Sequence, residues 1–329
     1  MAERLRVVRV VDETPDAKSL VFARPPDFTY RPGQFLTLRV GDVARCYSLC
    51  SSPYTDDELA VTVKRTPDGY GSNWIHEHVV AGTELQALPP GGVFSPKSLD
   101  DDLLCCAAGS GITPIMSIVK SVLAAGSGSI VLCYANRDER SVIFRDGLAA
   151  LVEAHPDRLT VIHWLETVQG LPTPPALSAL LRPYVDREAF VCGPTPFMDA
   201  VSTALTELGT PSVRTERFLS LVKNPFEPRK KKPAAVADRT ATVEVELDGE
   251  RHTVTWPVNQ RLLVAMREAG LPVPSSCEEG RCGACVCRRT DGEITMANND
   301  VLDATDLADG YVLACQSLPA SDKVAITYD

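Results

Sequence analysis

No stretch of this sequence stays apolar for the length of a bilayer crossing, and the N-terminal MAERLRVVRVVDE scatters charges where a secretory signal would carry an apolar core. The two lacks argue against a membrane protein and an exported one, and suggest a cytoplasmic chain. Basic charge is also scarce. The net charge is −10, and residues 240–329 hold seven Lys or Arg against fifteen Asp or Glu, a local net of −8, so nucleic acid is an improbable partner. Such a surface serves solubility, or docking to a positive patch on another protein. At 329 residues and 44% hydrophobic content the chain is a globular protein with room for two or three cores.

Cysteine is plentiful: there are eleven, and in a cytoplasmic setting they suggest thiols and metal ligands before disulfides. Cys277, Cys282 and Cys285 stand in SSCEEGRCGACVC with the spacing C-x4-C-x2-C, and Cys315 follows far downstream in LACQS. This is the plant-type ligand spacing of a [2Fe-2S] cluster. Gly280, Gly283 and Ala284 supply the small residues that a loop wrapped closely round a cluster needs. A structural zinc site would want a second C-x2-C knuckle, which is missing, and a disulfide framework would want a small secreted chain. Cys287, two residues past the third ligand, reads as a buried strand residue.

Residues 5–97 contain the short β-prone runs LRVVRVV, SLVFARP, QFLTLRV, ARCYSLC, LAVTVKR and TELQALPP between turn residues, with one helix near Ser72 to Val80. That pattern predicts a small antiparallel barrel. Arg45-Cys46-Tyr47-Ser48 lies on one strand, and Gly69-Tyr70-Gly71-Ser72-Asn73 opens the helix, whose N-terminus suits a phosphate. By themselves these are ordinary strand residues and a loop-to-helix junction. In order, however, PGQFLTL, RCYS and GYGSNW resemble the flavin domain of the ferredoxin–NADP reductase family. The resemblance implies that Arg45 holds the flavin pyrophosphate, Tyr47 packs on the isoalloxazine, and Ser48 lies near its reactive nitrogen. It further implies that Gly71, Ser72 and Asn73 meet the phosphates, and that Val63 and Lys64 line the same pocket.

Residues 98–222 change period. The apolar run Leu103 to Ala108 is followed by Gly109-Ser110-Gly111-Ile112-Thr113-Pro114 and then the amphipathic IMSIVKSVLAAG, a strand, glycine turn and helix with Pro at its first position. Strand-like IVLCYA, LTVIHW and AFVCG alternate with helical patterns at 144–154 and 197–208, which predicts a parallel, doubly wound α/β sheet. The turn is not G-x-G-x-x-G, since Pro occupies position 114. It resembles instead the nicotinamide domain of the same family, as does Cys192-Gly193-Pro194. That likeness implies that Gly109, Gly111, Thr113, Pro114, Gly193 and Pro194 bind the coenzyme and that Cys192 sits against the nicotinamide. Glu216, in TERFLS, falls where the family's reductase module ends close to the flavin. With Ser48 and Cys192 it is a candidate to act at the nicotinamide–flavin contact, although a surface carboxylate is an equally simple reading. The stretch Asn136-Arg137-Asp138, at the expected adenosine side, does not decide between NADH and NADPH.

Residues 223–239, with three prolines and the basic run Arg229 to Lys232, read as a linker. From Thr240 a hairpin turning at Asp248-Gly249, a helix over Leu262 to Ala269, the cysteine loop, and the strands YVLACQS and KVAITYD predict a β-grasp ferredoxin domain. The expected organisation is therefore a flavin barrel over 1–97, a nicotinamide α/β domain over 98–222, the linker, and a ferredoxin domain over 240–329.

Nicotinamide gives up two electrons as hydride while an iron–sulfur centre accepts one, so something must divide the pair, and a flavin can. The order flavin, nicotinamide, ferredoxin resembles the reductase components of bacterial oxygenases over essentially the whole chain. That resemblance implies FAD, NADH and a [2Fe-2S] cluster, and a monomer that docks transiently with a Rieske-type terminal oxygenase, here one acting on a 3-ketosteroid. A diiron oxygenase of the phenylacetyl-CoA epoxidase type is the alternative acceptor. A redox sensor or structural metal module without turnover is the alternative of another class.

Overall fold

The computed structural model describes residues 2–221, 223–227 and 239–328, which divide into two compact units. Most of the expected linker, including its basic run, lies outside the described residues. One unit holds Glu3–Ala87 and Phe94–Phe218; the other holds Ala2, Leu88–Val93 and the described residues from Leu219 onward.

In the first unit, β1 (Glu3–Thr14), β2 (Ala17–Ala23), β3 (Phe35–Val40), β4 (Val43–Ser48), β5 (Glu58–Lys64) and β6 (Glu84–Ala87) pair antiparallel in the order β4-β3-β6-β1-β2-β5. A bridge between Leu49 and Val61, with Cys50 N–H donating to the Ala60 carbonyl at 2.8 Å, joins the two edges and closes the barrel. Alternation drives this sheet: Leu5 and Val7 turn inward from β1 to meet Leu20, Phe22, Leu36, Leu38, Leu59 and Val61. The helix α1 (Tyr70–His78) plugs the barrel with Ile75, which is fully buried.

Next comes a sheet of five parallel strands, β7 (Leu103–Ala108), β8 (Ile130–Asn136), β9 (Leu159–Leu165), β10 (Glu188–Cys192) and β11 (Val213–Glu216), in the order β11-β10-β7-β8-β9. Both faces are covered, which is why β7 and β8 are buried along their whole length. Leu103, Cys105 and Ala107 face α2 (Ile112–Ala125) and α3 (Arg145–Ala154), whereas Leu104, Cys106 and Ala108 face α5 (Pro174–Leu181) and α6 (Thr195–Leu208). A single turn, α4 (Glu166–Gln169), precedes α5. The expected glycine turn is present as a 3-10 turn over Gly109–Gly111, and α2 starts at Ile112, so Pro114 is its third residue and not its first.

In the second unit β12 (Thr240–Leu247) and β13 (Glu250–Pro257) form the hairpin, Asp248 and Gly249 both taking positive φ at its turn. The helix α7 (Leu262–Glu268), the strands β14 (Val286–Asp291) and β15 (Ile294–Met296), the short α8 (Ala304–Ala308), and β16 (Tyr311–Leu313), β17 (Ser317–Pro319) and β18 (Lys323–Thr327) complete it. The sheet runs β13-β12-β18-β14-β16, with β12 and β18 parallel, and β15 pairs separately with β17. Trp256, Leu262, Met266 and Leu313 fill a core in which Cys287 is a buried strand residue, as expected. The run YVLACQS does not form one strand: Ala314, Cys315 and Gln316 make the turn between β16 and β17.

Candidate redox sites

The strand β4 presents Arg45, Tyr47 and Ser48 beside α1. Tyr47 is partly covered, and Ser48 is buried. Gly71, in the first turn of α1, lets the Arg45 side chain lie against the helix: a Cβ there would come within 2.9 Å of Arg45 Cγ. Arg45 thus runs past an uncapped helix N-terminus, a pairing of fixed positive charge and exposed N–H groups that fits a diphosphate. Ser72 is turned toward its own loop. Its hydroxyl donates to the Gly69 carbonyl at 3.2 Å and accepts from Thr66 N–H at 3.1 Å, while the Asn73 amide donates to the Thr66 carbonyl at 3.3 Å. Both residues shape the loop that presents the helix. Val63 is buried on β5, and its carbonyl accepts from His76 Nε2 at 2.9 Å.

Ser48 also donates to Glu216 Oε2, at 3.2 Å across 168 residues of sequence. Glu216 sits at the end of β11 opposite Cys192 in the parallel register. Part of its surface is open, yet protein surrounds the carboxyl, and this desolvation pushes its pKa up to about 8 while the Ser48 hydrogen bond pulls the other way. Cys192 is fully buried, and that burial, with the Glu216 charge second, holds its thiol well above the ordinary range. The three residues expected to act together are thus brought together.

The glycine turn meets this group through Gly111, where a Cβ would lie 2.2 Å from the Cys192 carbonyl oxygen. Only glycine permits that approach of turn to strand. Gly193 is equally confined, with φ +159 and a Cβ position 3.0 Å from Ala108. Thr113 is buried and donates to the Ser110 carbonyl at 3.0 Å, Pro114 packs inside α2, and Pro194 leads into α6. Lys64 Nζ reaches within 3.7 Å of the Cβ position of Gly109 and pairs with Asp16 at 3.8 Å, so the barrel and the turn are neighbours. Tyr134, outside the expected set, and Asn136, from the stretch expected at the adenosine side, support this edge. Tyr134 donates to the Gly109 carbonyl at 3.1 Å, and the Asn136 amide, 7% exposed at the end of β8, has no hydrogen-bond partner of good geometry. The place of Tyr134 in an apolar strand run gives its hydroxyl no signal in the sequence.

In the second unit the four expected cysteines gather at one loop and one turn. Cys277, Cys285 and Cys315 are buried, and Cys282 is half-exposed. Glu278, Gly280 and Gly283 take positive φ of 58, 79 and 67°, the curvature by which the loop closes round a centre. The thiols fall into two pairs. Cys277 N–H donates to Cys282 Sγ at 3.4 Å, and Cys315 N–H to Cys285 Sγ at 3.4 Å. Glu279 N–H donates to Cys277 Sγ at 3.3 Å. The Cys282 thiol and the backbone donors together draw the Cys277 thiol down to about 6, toward the thiolate that a metal requires. Two thiol pairs suit a centre with two irons, and no group of three or more His, Cys, Asp or Glu among the described residues is arranged round one ion. Arg267 on α7 pairs with Glu278 and with Ser275, fixing the loop from outside.

Residues 245–320 match the 2Fe-2S iron-sulfur cluster binding domain and residues 105–203 the oxidoreductase NAD-binding domain. The chain is 54% identical to the Rhodococcus rhodochrous protein named 3-ketosteroid-9-alpha-monooxygenase, ferredoxin reductase component, covering 98% of this chain and 96% of that one. It is 34% identical to one of the subunits of the 1,2-phenylacetyl-CoA epoxidase of Escherichia coli K12, covering 99% and 97%. Full-length CYP116B46 from Tepidiphilus thermophilus shares the fold with a TM-score of 0.68 and 28% identity; 99% of this chain is covered, and the chain spans 42% of that protein's length. Phthalate dioxygenase reductase, described as a modular structure for electron transfer from pyridine nucleotides to [2Fe-2S], aligns over 99% of this chain and 98% of its own, with a TM-score of 0.58 and 23% identity.

Proposed function

The chain belongs to the family of monooxygenase ferredoxin reductase components, and on that premise we propose that it carries electrons from NADH, through FAD and a [2Fe-2S] cluster, to a separate terminal oxygenase. That oxygenase is of the Rieske type and hydroxylates a 3-ketosteroid at the 9α position. The observation that carries the reading is 54% identity along nearly the whole chain, a span that takes in the barrel, the parallel sheet and the cysteine-bearing unit and not one motif alone.

The bound groups supply hydride acceptance and one-electron transfer; the side chains supply placement and exclusion of water. Arg45 and the α1 N-terminus would hold the flavin diphosphate, and Tyr47 would pack on the flavin. The turn Gly109–Gly111, with Thr113, Pro114, Gly193 and Pro194, would hold the nicotinamide nucleotide. Cys192 would pack against the nicotinamide, and Ser48 with Glu216, joined by their hydrogen bond, would hold a proton beside it. Cys277, Cys282, Cys285 and Cys315 would hold the cluster.

No helix among the described residues is long and apolar enough to cross a membrane. We read the protein as a cytoplasmic monomer that meets its oxygenase transiently, without nucleic acid. The likeness to the phenylacetyl-CoA epoxidase component favours a diiron oxygenase as the second reading of the acceptor. The deciding experiment is NADH-driven turnover with a panel of purified oxygenases. Product from the 3-ketosteroid Rieske oxygenase is expected, and turnover confined to a diiron partner would transfer the assignment.

A further inference from the structure

The donors that meet the cluster thiols from Cys277, Glu279 and Cys315 are backbone N–H groups, which substitution leaves in place. Gln316 differs. Its side-chain Nε2 donates to Cys315 Sγ at 3.4 Å and to the Glu278 carbonyl at 3.0 Å, so one amide touches a ligand sulfur and the opposite wall of the loop. The side chain is 8% exposed and lies flat across Gly280, where a Cβ would stand 3.0 Å from Gln316 Cγ. Its backbone is fixed on both sides: Gln316 N–H donates to the Leu313 carbonyl at 2.8 Å, and its own carbonyl accepts from Arg261 Nη1 at 2.7 Å and from Ala297 N–H at 3.1 Å. The amide therefore has little freedom to swing away.

We propose that the Gln316 amide raises the reduction potential of the cluster, so that a side chain, and not the loop backbone alone, sets how readily the centre accepts its electron. Reduction adds one negative charge that spreads onto the thiolate sulfurs, and an N–H dipole aimed at a sulfur stabilises the reduced form more than the oxidised one. A partner acting through a ligand tunes the metal in this way. Had Gln316 served only to tie Cys315 to Glu278, its loss would loosen the loop and open the cluster to water, which favours the more highly charged reduced form and shifts the potential the opposite way.

The inference rests on the four thiols holding a [2Fe-2S] cluster, and the test separates the two. Full-length holoprotein and its Gln316→Leu variant are titrated with dithionite under argon, one electron passing to each oxidised cluster, and followed by EPR. Leucine keeps the bulk and removes the donor. The cluster midpoint of the variant is expected at a more negative potential, with the flavin midpoint of the same sample unmoved. An unchanged or less negative cluster midpoint in fully loaded variant overturns the role of Gln316 and leaves the cluster assignment standing; a parent protein without a cluster signal overturns both. Should Gln316→Leu fail to load, the parent protein decides. With glutamine side-chain amides labelled with 15N, pulsed EPR of the reduced cluster is expected to show a 15N coupling, and its absence overturns the proposal.

Discussion

Glu216 departs from what a carboxylate ordinarily does, because burial raises its pKa. Its folded-state pKa, about 8, lies above the unfolded value, so its contribution to stability is fully present below the unfolded pKa and is lost as pH rises through 8. The rate of flavin reduction by NADH should therefore change with an apparent pKa near 8, and stopped-flow measurements on Glu216→Gln should show that step in the pH profile gone. A profile unaltered by the substitution would remove Glu216 from the site. Gly111 offers a steric test. Adding a methyl 2.2 Å from the Cys192 carbonyl forces turn and strand apart, so Gly111→Ala should lose about 1–3 kcal/mol in denaturant unfolding and bind NADH weakly while retaining its flavin. Of this site the motifs RCYS, GSGITP and CGP are readable in the sequence, because each needs a residue type at a fixed spacing. Gln316 and Arg267 are not, because a glutamine after a cysteine or an arginine within a helix has no distinguishing pattern until the fold brings a partner to it.

The elements are legible wherever one hydrophobic period runs unbroken. The six barrel strands, the apolar runs of β7, β8 and β10 and the helices α2, α3 and α6 all declare themselves by alternation, continuous burial or 3.6-residue spacing. Where the signal is short it fails. β11 has only four residues and exposes Thr215, so its pattern is that of a loop, yet it carries Glu216 to Cys192. The run YVLACQS reads as one strand because its composition is uniform, but Cys315 must turn to reach Cys285, and the strand breaks there. At this scale the core of the second unit depends on Trp256, fully buried with its indole N–H donating to the Gln260 carbonyl at 2.8 Å. Trp256→Ala should cost about 3–5 kcal/mol and lower the temperature at which the cluster absorbance is lost. The cluster loop gives a cleaner dissection: Cys282→Ser should abolish the cluster signal and transfer to the oxygenase while leaving NADH-driven reduction of ferricyanide by the flavin intact.

Across the whole molecule, three sheets of different construction place three kinds of redox chemistry on one chain. An antiparallel barrel suits a flavin, because its strand ends and single helix offer an arginine and free N–H groups to a diphosphate. The parallel sheet opens at the carboxyl ends of its strands, where a dinucleotide binds. The β-grasp unit devotes its small core to supporting a loop and a turn that bring four cysteines together in two pairs. The central claim is that hydride enters the first unit and electrons leave through the second, and its most direct test is anaerobic addition of NADH to the full-length protein, followed by absorption and EPR. The account predicts that the flavin bands bleach and that a reduced [2Fe-2S] signal then grows toward one centre per chain. Zinc bound by the four cysteines, or a bleached flavin beside a cluster that stays oxidised, would contradict it.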